Sequence, residues 1–171
     1  MKILTEIHRR EGINTHGKTI QRMAVRGVTL RGRDLLMVLS SAVGDYKFPG
    51  GGLDEGESHG HALRREVQEE CGMSLAQFGA EIGAVVEYNF PKEQDYDVFK
   101  MTSYYYRCEV QDGFGAQKLD GYEQELGFVP VWVDIDKAIQ ENKPLLDSLR
   151  PPTWLRREIF VLEYLKQNLL K

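Results

Sequence analysis

The chain has 171 residues and a net charge of −4. Its apolar share of 42% and charged share of 28% are typical of a globular protein, and no apolar run is long enough to cross a membrane. The acidic balance argues against nonspecific binding to a nucleic-acid backbone, and the N-terminus becomes charged too soon for a secretory signal. These features predict one domain over 1–171 in the cytoplasm, without nucleic-acid or membrane partners.

In chain order, the sequence predicts strands before and after a central helix. The first half predicts an arm or edge strand over 1–19, strands over 21–30 and 34–40 with a turn at 31–34, a loop over 41–46, and a helix from about 58 to 72. The second half predicts a long or broken strand over 75–90, a polar loop over 91–97, a strand over 98–110, a flexible loop over 111–127, a strand over 128–133, and helices over 136–142 and 153–170. This order indicates the α+β class, and the amphipathic closing helix is expected to pack on the domain.

The stretch that carries the chemistry spans 51–73 and reads GGLDEGESHGHALRREVQEECGM, and the flanking residues 48–52 read FPGGG. Its glycines allow backbone groups to approach an ion or a phosphate closely. Ser58 is a predicted N-cap, Gly72 is a stop signal, and Leu63 and Val67 form an apolar stripe. A helix is therefore expected to start directly after a glycine turn.

Three glutamates of this helix, Glu66, Glu69 and Glu70, have the spacing i, i+3 and i+4 and project from one face. Their repulsion requires a cation, and hard divalent ions such as Mg²⁺ prefer oxygen ligands. The pattern predicts a metal platform, against the alternative of a solvated acidic face. Arg65 is expected to brace Glu69, with Glu57 as a second partner.

The stretch resembles the Nudix (MutT-like) hydrolase family, defined by G-x5-E-x7-R-E-U-x-E-E-x-G-U, where U is a bulky aliphatic residue. The residues at the fixed positions are Gly51, Glu57, Arg65, Glu66, Val67, Glu69, Glu70, Gly72 and Met73. Every fixed position is occupied at the right spacing, which favours the functional interpretation. The resemblance implies an α/β/α sandwich with a mixed β-sheet between helices.

The resemblance also implies Mg²⁺-dependent hydrolysis, with Mn²⁺ as the alternative ion. The substrate would be a nucleoside diphosphate linked to a moiety X, and the products a nucleoside monophosphate and phosphorylated X. The metal ligands would be Glu66 and Glu70, with Glu69 as a ligand or an orienting group. The carbonyl of Gly50, or less favourably that of Gly51, would complete the metal shell.

Nudix domains often supply a further acid from the loop before the last strand, and this implies a role for Glu123 or Glu125. The general base varies within the family, so Glu66 is the first candidate and Glu123 or Glu125 the next.

The substrate and the oligomeric state stay open at this point. The favoured small-molecule substrate is a nucleoside triphosphate or a nucleoside diphosphate derivative. A damaged-nucleotide triphosphatase, an ADP-ribose or nucleotide-sugar pyrophosphatase and a broad housecleaning enzyme are alternatives. A non-catalytic nucleotide sensor and an interaction domain with a solvated acidic helix are the rival classes. The closing helix is compatible with a monomer or a homodimer.

Other residues have both a structural and a functional interpretation. Arg22 and Arg26 could reach a phosphate, but a solvated strand face is favoured for both. For Lys47, phosphate binding and a surface position have equal weight. His59 and His61 are assigned to exposed helix surface, because glutamate-rich Mg²⁺ sites do not need imidazole.

The two cysteines, Cys71 and Cys108, are predicted to be buried free thiols. The consecutive tyrosines 104–106 point alternately to opposite faces of a strand and cannot form one stacking platform. The aromatic residues considered for stacking on a base are Tyr88, Phe90, Tyr96 and Tyr105.

Overall fold

The computed structural model describes residues 1–168. Its strands are β1 Ile3–His8, β2 Thr19–Val28, β3 Leu30–Arg31, β4 Asp34–Ser40, β5 Asp45–Lys47, β6 Leu75–Asn89, β7 Val98–Val110 and β8 Phe128–Asp134. Its helices are α1 His59–Cys71, α2 Gly121–Leu126, α3 Ile135–Asn142 and α4 Leu155–Asn168, with a 3-10 helix at Lys143–Asp147. No helix within these residues is long and apolar enough to cross a bilayer.

The strands form two sheets. The first has the order β1-β6-β7-β2, with β1 parallel to β6, β6 antiparallel to β7, and β7 parallel to β2. In the second, β4 pairs antiparallel with β3 and β5 along one edge and with β8 along the other. The first sheet is therefore mixed, as the family resemblance implies.

Helices cover both faces of this sheet structure. Because neighbouring strand residues point to opposite faces, β4 contributes to two separate cores. Leu35 and Met37 belong to the core formed with α3 and α4, whereas Leu36 and Val38 belong to the core formed with α1. The α+β sandwich with a mixed sheet between helices is confirmed.

Two predicted loops are wrong in part. The end of the 41–46 loop continues into β5, which pairs with the end of β4. The flexible loop over 111–127 contains α2, and the acids that suggested a loop cap this helix instead. The Asp120 side chain accepts a hydrogen bond from the Glu123 backbone N–H, and the Glu123 side chain accepts one from that of Asp120.

Most other elements lie where the sequence predicted them. β1 is an edge strand beside β6, and the pairing of β6 with β7 is irregular between Phe78 and Gly83. The closing helix α4 begins at Leu155 and packs on the domain through its buried apolar residues. The predicted end of that helix, at 169–170, lies outside the described residues.

α4 also brings a buried ionic network to the start of the glycine loop, which comprises residues 48–52. Glu158 is fully buried; its Oε1 accepts hydrogen bonds from Nε and Nη2 of Arg157 at 3.1 and 2.8 Å, and its Oε2 accepts one from the Phe48 backbone N–H at 2.9 Å. Arg157 Nη1 donates to Glu87 Oε2 at 2.6 Å. Since Phe48 precedes Pro49 and Gly50, this network fixes the backbone that enters the loop.

Glu158→Ala is expected to lower the free energy of unfolding by about 3–5 kcal/mol, because it leaves Nε and Nη2 of the buried Arg157 and the Phe48 N–H without their acceptor. Urea denaturation followed by circular dichroism measures this change. The matched control is Glu163→Ala, which removes a carboxylate of the same helix that pairs with Lys143 at the surface. The control should cost less than about 1 kcal/mol. Equal losses in the two variants would contradict the importance of the buried network.

Candidate active site

The glycine loop is held against the outer edge of β2. Gly27 N–H donates to the Pro49 carbonyl at 2.8 Å, and Val25 N–H donates to the Gly51 carbonyl at 2.9 Å. Because β2 is the last strand of its sheet, these bonds satisfy backbone groups that would otherwise be unpaired. The loop therefore has a fixed path along the strand.

At two positions in this loop, a Cβ would overlap a neighbouring group. Gly50 has a φ of 135°, and a Cβ there would overlap the Val25 carbonyl oxygen. At Gly51, a Cβ would overlap the carboxylate of Glu66. The absence of side chains thus allows β2 on one side and α1 on the other to approach the loop.

α1 begins and ends as its sequence predicts. The Ser58 side chain caps it by accepting a hydrogen bond from the His61 backbone N–H, and Gly72 ends it in the left-handed conformation. Of its three glutamates, Glu70 is 1% exposed and Glu66 8% exposed, whereas Glu69 is half-buried. Two of the predicted metal ligands are therefore buried carboxylates.

Glu70 lies between a lysine and the glycine loop. Its Oε1 pairs with Nζ of Lys47 at 2.5 Å, and its Oε2 accepts a hydrogen bond from the Gly50 backbone N–H at 2.7 Å. The Gly50 carbonyl oxygen accepts a hydrogen bond from the guanidinium of Arg26, which is 9% exposed. Three cation and N–H contacts thus surround this part of the site.

Arg65 connects the other acids. It donates two hydrogen bonds to Glu57, at 3.1 and 2.8 Å, and one to Glu66 Oε1 at 2.7 Å. Two further bonds reach Glu69 at 3.4 Å and the Gly52 carbonyl at 3.1 Å. The predicted partners Glu57 and Glu69 are both present, and Glu66 is an additional one.

The environment shifts the acid pKa values in different directions. Burial, together with the charge of Glu70, raises the pKa of Glu66, although Arg65 opposes this shift. Burial likewise raises the pKa of Glu123. Hydrogen bonds from Arg65 lower the pKa of Glu57. Glu66 and Glu123 therefore hold a proton more readily than exposed glutamates do.

The glycine loop, the buried glutamates of α1 and the basic side chains beside them line a cavity of about 340 Å³. Its walls carry four basic and five acidic side chains. The residues that line it are Arg22, Arg26, Lys47, Gly50, Gly51, Gly52, Leu53, Asp54, Arg65, Glu66, Glu70, Asp120 and Glu123. A polar cavity of both signs can bind cations through its carboxylates and phosphate oxygens through its basic groups.

The predicted site residues do not all meet in this cavity. Glu69 lies in an adjoining cavity of about 330 Å³, with Lys118 and, again, Glu66 and Glu123. Glu125 is exposed on α2 and lines neither of these two cavities. The structure therefore brings Glu123, rather than Glu125, to Glu66.

Several side chains occupy positions that the sequence did not favour. Arg26 is buried on the glycine loop rather than solvated, and Lys47 is 9% exposed rather than at the surface. His59 is half-buried, with its Nδ1 2.6 Å from the Tyr106 hydroxyl, so its assignment to exposed surface is wrong; His61 is exposed as predicted. The sequence did not identify Asp120 as a site residue. Asp120 and Glu123 lie three residues apart, which is the spacing of a helix capping box, and this signature could have indicated a helix that starts at Asp120.

The remaining predictions concern buried groups. Cys71 and Cys108 are buried free thiols as predicted, and burial raises the pKa of both. Tyr105 is 0% exposed in the core, so it is not available to stack on a base, whereas Phe90 and Tyr96 are 46% and 37% exposed. Tyr88 is 9% exposed and packs against the ring of His8.

The donor atoms of the cavity fit a hard divalent cation in kind. They are carboxylate and carbonyl oxygens, which Mg²⁺ prefers. In the described part of the chain, Glu66 Oε2 and Glu123 Oε1 accept no hydrogen bond and are free to coordinate. Within residues 1–168, no three acidic, histidine or cysteine side chains lie close enough together to hold one ion as they stand. Basic side chains occupy Oε1 of Glu66 and of Glu70, and backbone N–H groups occupy Oε2 of Glu70 and of Glu123.

The family model described as "NUDIX domain" matches residues 20–153. The chain belongs to the NUDIX domain family. The match includes β2, the glycine loop, α1 and α2, and hence every residue that lines the cavity. This domain is thus the part of the chain that builds the site.

Relatives of the NUDIX domain share only part of their length with it. "Nudix hydrolase 27, chloroplastic" of Arabidopsis thaliana is 34% identical over 84 residues, which is 49% of this chain and 37% of that protein. An "RNA pyrophosphohydrolase" of a Nitratiruptor species is 46% identical over 48 residues, which is 28% of this chain and 31% of that protein. The matches thus span about a third of the relatives' length.

The fold has a solved counterpart in a NUDIX hydrolase from Nitrosomonas europaea. That structure has a TM-score of 0.56 and 18% sequence identity, and the comparison covers 86% of this chain and 90% of that chain. At this identity the likeness supports the fold of the NUDIX domain.

Gly50→Ala is expected to lower the free energy of unfolding by at least about 1–3 kcal/mol, since alanine is strained at this φ and its Cβ overlaps β2. Thermal or urea unfolding measures the loss. The control is Gly121→Ala, where a Cβ meets open space; its effect should stay within about 1 kcal/mol in either direction. If the two variants are equally stable, the loop does not lie against β2 as described.

Proposed function

We propose that the NUDIX domain is a Mg²⁺-dependent hydrolase that cleaves a phosphoanhydride bond in a nucleoside diphosphate linked to X. The observation that carries this proposal is the single cavity that combines the buried carboxylates Glu66 and Glu70 with Arg22, Arg26 and Lys47. Phosphoryl transfer depends on positioning the reacting groups and on neutralising the phosphate charge. The carboxylates and the basic side chains together serve these needs. A nucleoside triphosphate or a nucleoside diphosphate derivative is the favoured substrate.

Under this proposal, Glu66, Glu70 and the carbonyl of Gly50 would hold the metal, and Glu69, which lies in the adjoining cavity, would be a ligand or an orienting group. When bound there, the metal neutralises phosphate charge and lowers the pKa of bound water. Mn²⁺ has the same preference for oxygen ligands and is the alternative ion. The protein groups hold the carboxylate and carbonyl oxygens in place and keep the substrate phosphates beside them.

Glu66 is the first candidate for the general base, because its pKa is raised above that of an exposed glutamate, which makes it a stronger base. Glu123 is the second, since it lines the same cavity and its pKa is also raised. Glu125 ranks behind both because it is exposed outside the cavity. Arg65 positions Glu66 and Glu69 through its hydrogen bonds.

Hydrolysis of the 5′-polyphosphate end of RNA is a second candidate function. It is favoured by the relatives named RNA pyrophosphohydrolase, of which one is 46% identical over 48 residues. The acidic net charge of −4 favours the small nucleotide instead. Both substrates would place a phosphoanhydride in the same cavity.

Glu70→Gln is expected to reduce Mg²⁺-dependent turnover by at least about 100-fold, since the loss of an outer-shell partner alone costs 10–100-fold at metal sites. The measurement is the initial rate of phosphoanhydride cleavage over a range of Mg²⁺ concentrations. Glu109→Gln, an exposed carboxylate on β7, is the control and should retain the original rate. Full activity of the Glu70 variant would refute its role as a metal ligand.

Product analysis tests the substrate class. The panel contains nucleoside triphosphates, 8-oxo-dGTP, ADP-ribose, nucleotide sugars, dinucleoside polyphosphates, coenzyme A and an RNA with a 5′-triphosphate, each with Mg²⁺ and with chelator. Chelator-sensitive cleavage with a nucleoside monophosphate product supports the first proposal. Cleavage of the RNA alone supports the second. Binding of a nucleotide in Mg²⁺ without cleavage of any compound would show a sensor and contradict both.

A further inference from the structure

A second polar cavity lies at the opposite edge of the first sheet. It has a volume of about 250 Å³, and its lining includes three arginines, Arg9, Arg10 and Arg156, but no acidic residue among those the structure describes. Asn89 and Thr153 add neutral polar groups, and prolines and a leucine of the segment 146–152 form an apolar wall. The same arginines also line an adjoining cavity of about 480 Å³. The lining is therefore basic on one side and apolar on the other.

This cavity is separate from the candidate active site. The two linings share no residue. Strand register places Ile7 of β1, Glu87 of β6, Met101 of β7 and Arg22 of β2 side by side across the sheet. β1 and β2 are thus three strand spacings apart, which is roughly 14 Å. One phosphate group cannot contact both sites.

The arginines around this cavity outnumber their carboxylate partners. Arg9 donates two hydrogen bonds to Glu87 Oε1, at 3.2 and 2.9 Å. The other oxygen of Glu87 already accepts a hydrogen bond from Arg157. Arg157 also occupies Oε1 of Glu158, whose Oε2 accepts a backbone N–H. Within residues 1–168, neither of the two other arginines of the cavity forms a salt bridge.

Glu87 and Glu158 thus balance Arg9 and Arg157, and Arg10 and Arg156 leave an excess of two positive charges, in a chain whose net charge is −4. Among the described residues, the only acid that lines the adjoining cavity is Glu11. The two arginines without a carboxylate partner, Arg10 and Arg156, are exposed on the lining of one cavity, so a bound anion would offset their mutual repulsion. A doubly charged anion matches the excess of two positive charges.

A phosphate monoester has the chemistry that this lining would recognise. Guanidinium groups bind phosphate oxygens through paired, charge-assisted hydrogen bonds. The apolar wall and the amide and hydroxyl groups suit the organic part of such a ligand. We propose that the cavity lined by Arg9, Arg10 and Arg156 is a second anion site, which binds the phosphoryl group of a small phosphate monoester. This proposal does not depend on the proposed hydrolase activity.

Isothermal titration with AMP in chelator tests the proposal without turnover. Arg10→Ala/Arg156→Ala removes two exposed arginines and spares Arg9, which belongs to the buried network. It should raise the Kd for AMP at this site at least about tenfold, the effect of losing one charge-assisted hydrogen bond. Arg64→Ala/Arg107→Ala, which removes two exposed arginines elsewhere, should leave the Kd unchanged.

Further probes separate the ligand sources and the two sites. Arg22→Ala removes a basic group of the candidate active site, so AMP binding that this variant loses belongs to that site. If AMP binds more tightly than inorganic phosphate, the cavity also contacts the organic part of the ligand. If the two bind equally, the cavity contacts the phosphoryl group alone. Both results support the proposal. The proposal is overturned if adenosine binds as AMP does, if Arg22→Ala abolishes all binding, or if Arg10→Ala/Arg156→Ala binds AMP like the unmodified chain. It is also overturned if the unmodified chain binds neither AMP nor phosphate.

Discussion

Two neighbouring glutamates of one helix, Glu66 and Glu70, are buried beneath the glycine loop. A buried carboxylate is stable only where cations or N–H donors replace the lost water. Glu70 receives Lys47 from β5 and the Gly50 N–H from the loop, and Glu66 receives Arg65 from its own helix. The convergence of β5, the loop and α1 therefore follows from the need to compensate these two charges.

The same constraint acts on the other side of the loop. Gly50 N–H is bound by Glu70 of α1, and the Phe48 N–H two residues earlier is bound by Glu158 of α4. Hydrogen bonds to β2 hold the segment that follows. The loop is thus fixed by carboxylates from helices on opposite faces of the sheet. α4 thereby orders the site although no described residue of α4 lines the cavity.

Local sequence signals account for the parts that could be predicted. Some contacts join residues that are close in the sequence, so residue spacing alone predicts them. Examples are the caps of α1 at Ser58 and Gly72 and the pairing of Arg65 with Glu57. The fold class followed from the order of elements and the family resemblance. α2 was missed because its capping acids resemble those of a polar loop, although their spacing carried the signal.

Contacts distant in sequence could not be predicted. Glu158 binds the Phe48 backbone across 110 positions, and nothing near either residue indicates the other. The burial of Lys47 and Arg26 depends on how the loop lies on β2 and α1, which residue type alone does not determine. Sequence spacing also could not distinguish Glu123 from Glu125, because only the orientation of α2 places Glu123 in the cavity.

The charge arrangement of the cavity adds a further constraint on the proposed chemistry. Lys47 and a divalent cation would both require Glu70 Oε1, and Arg26 and the same cation would both require the Gly50 carbonyl oxygen. Two positive charges cannot share one such oxygen at contact distance without strong repulsion. Under the proposed roles, a bound metal would compete with Lys47 and Arg26 for these oxygens, and the two basic groups would then face the cavity, where substrate phosphates need them. The site would thus bind metal and polyphosphate more favourably together than separately, because each compensates the charge that the other displaces.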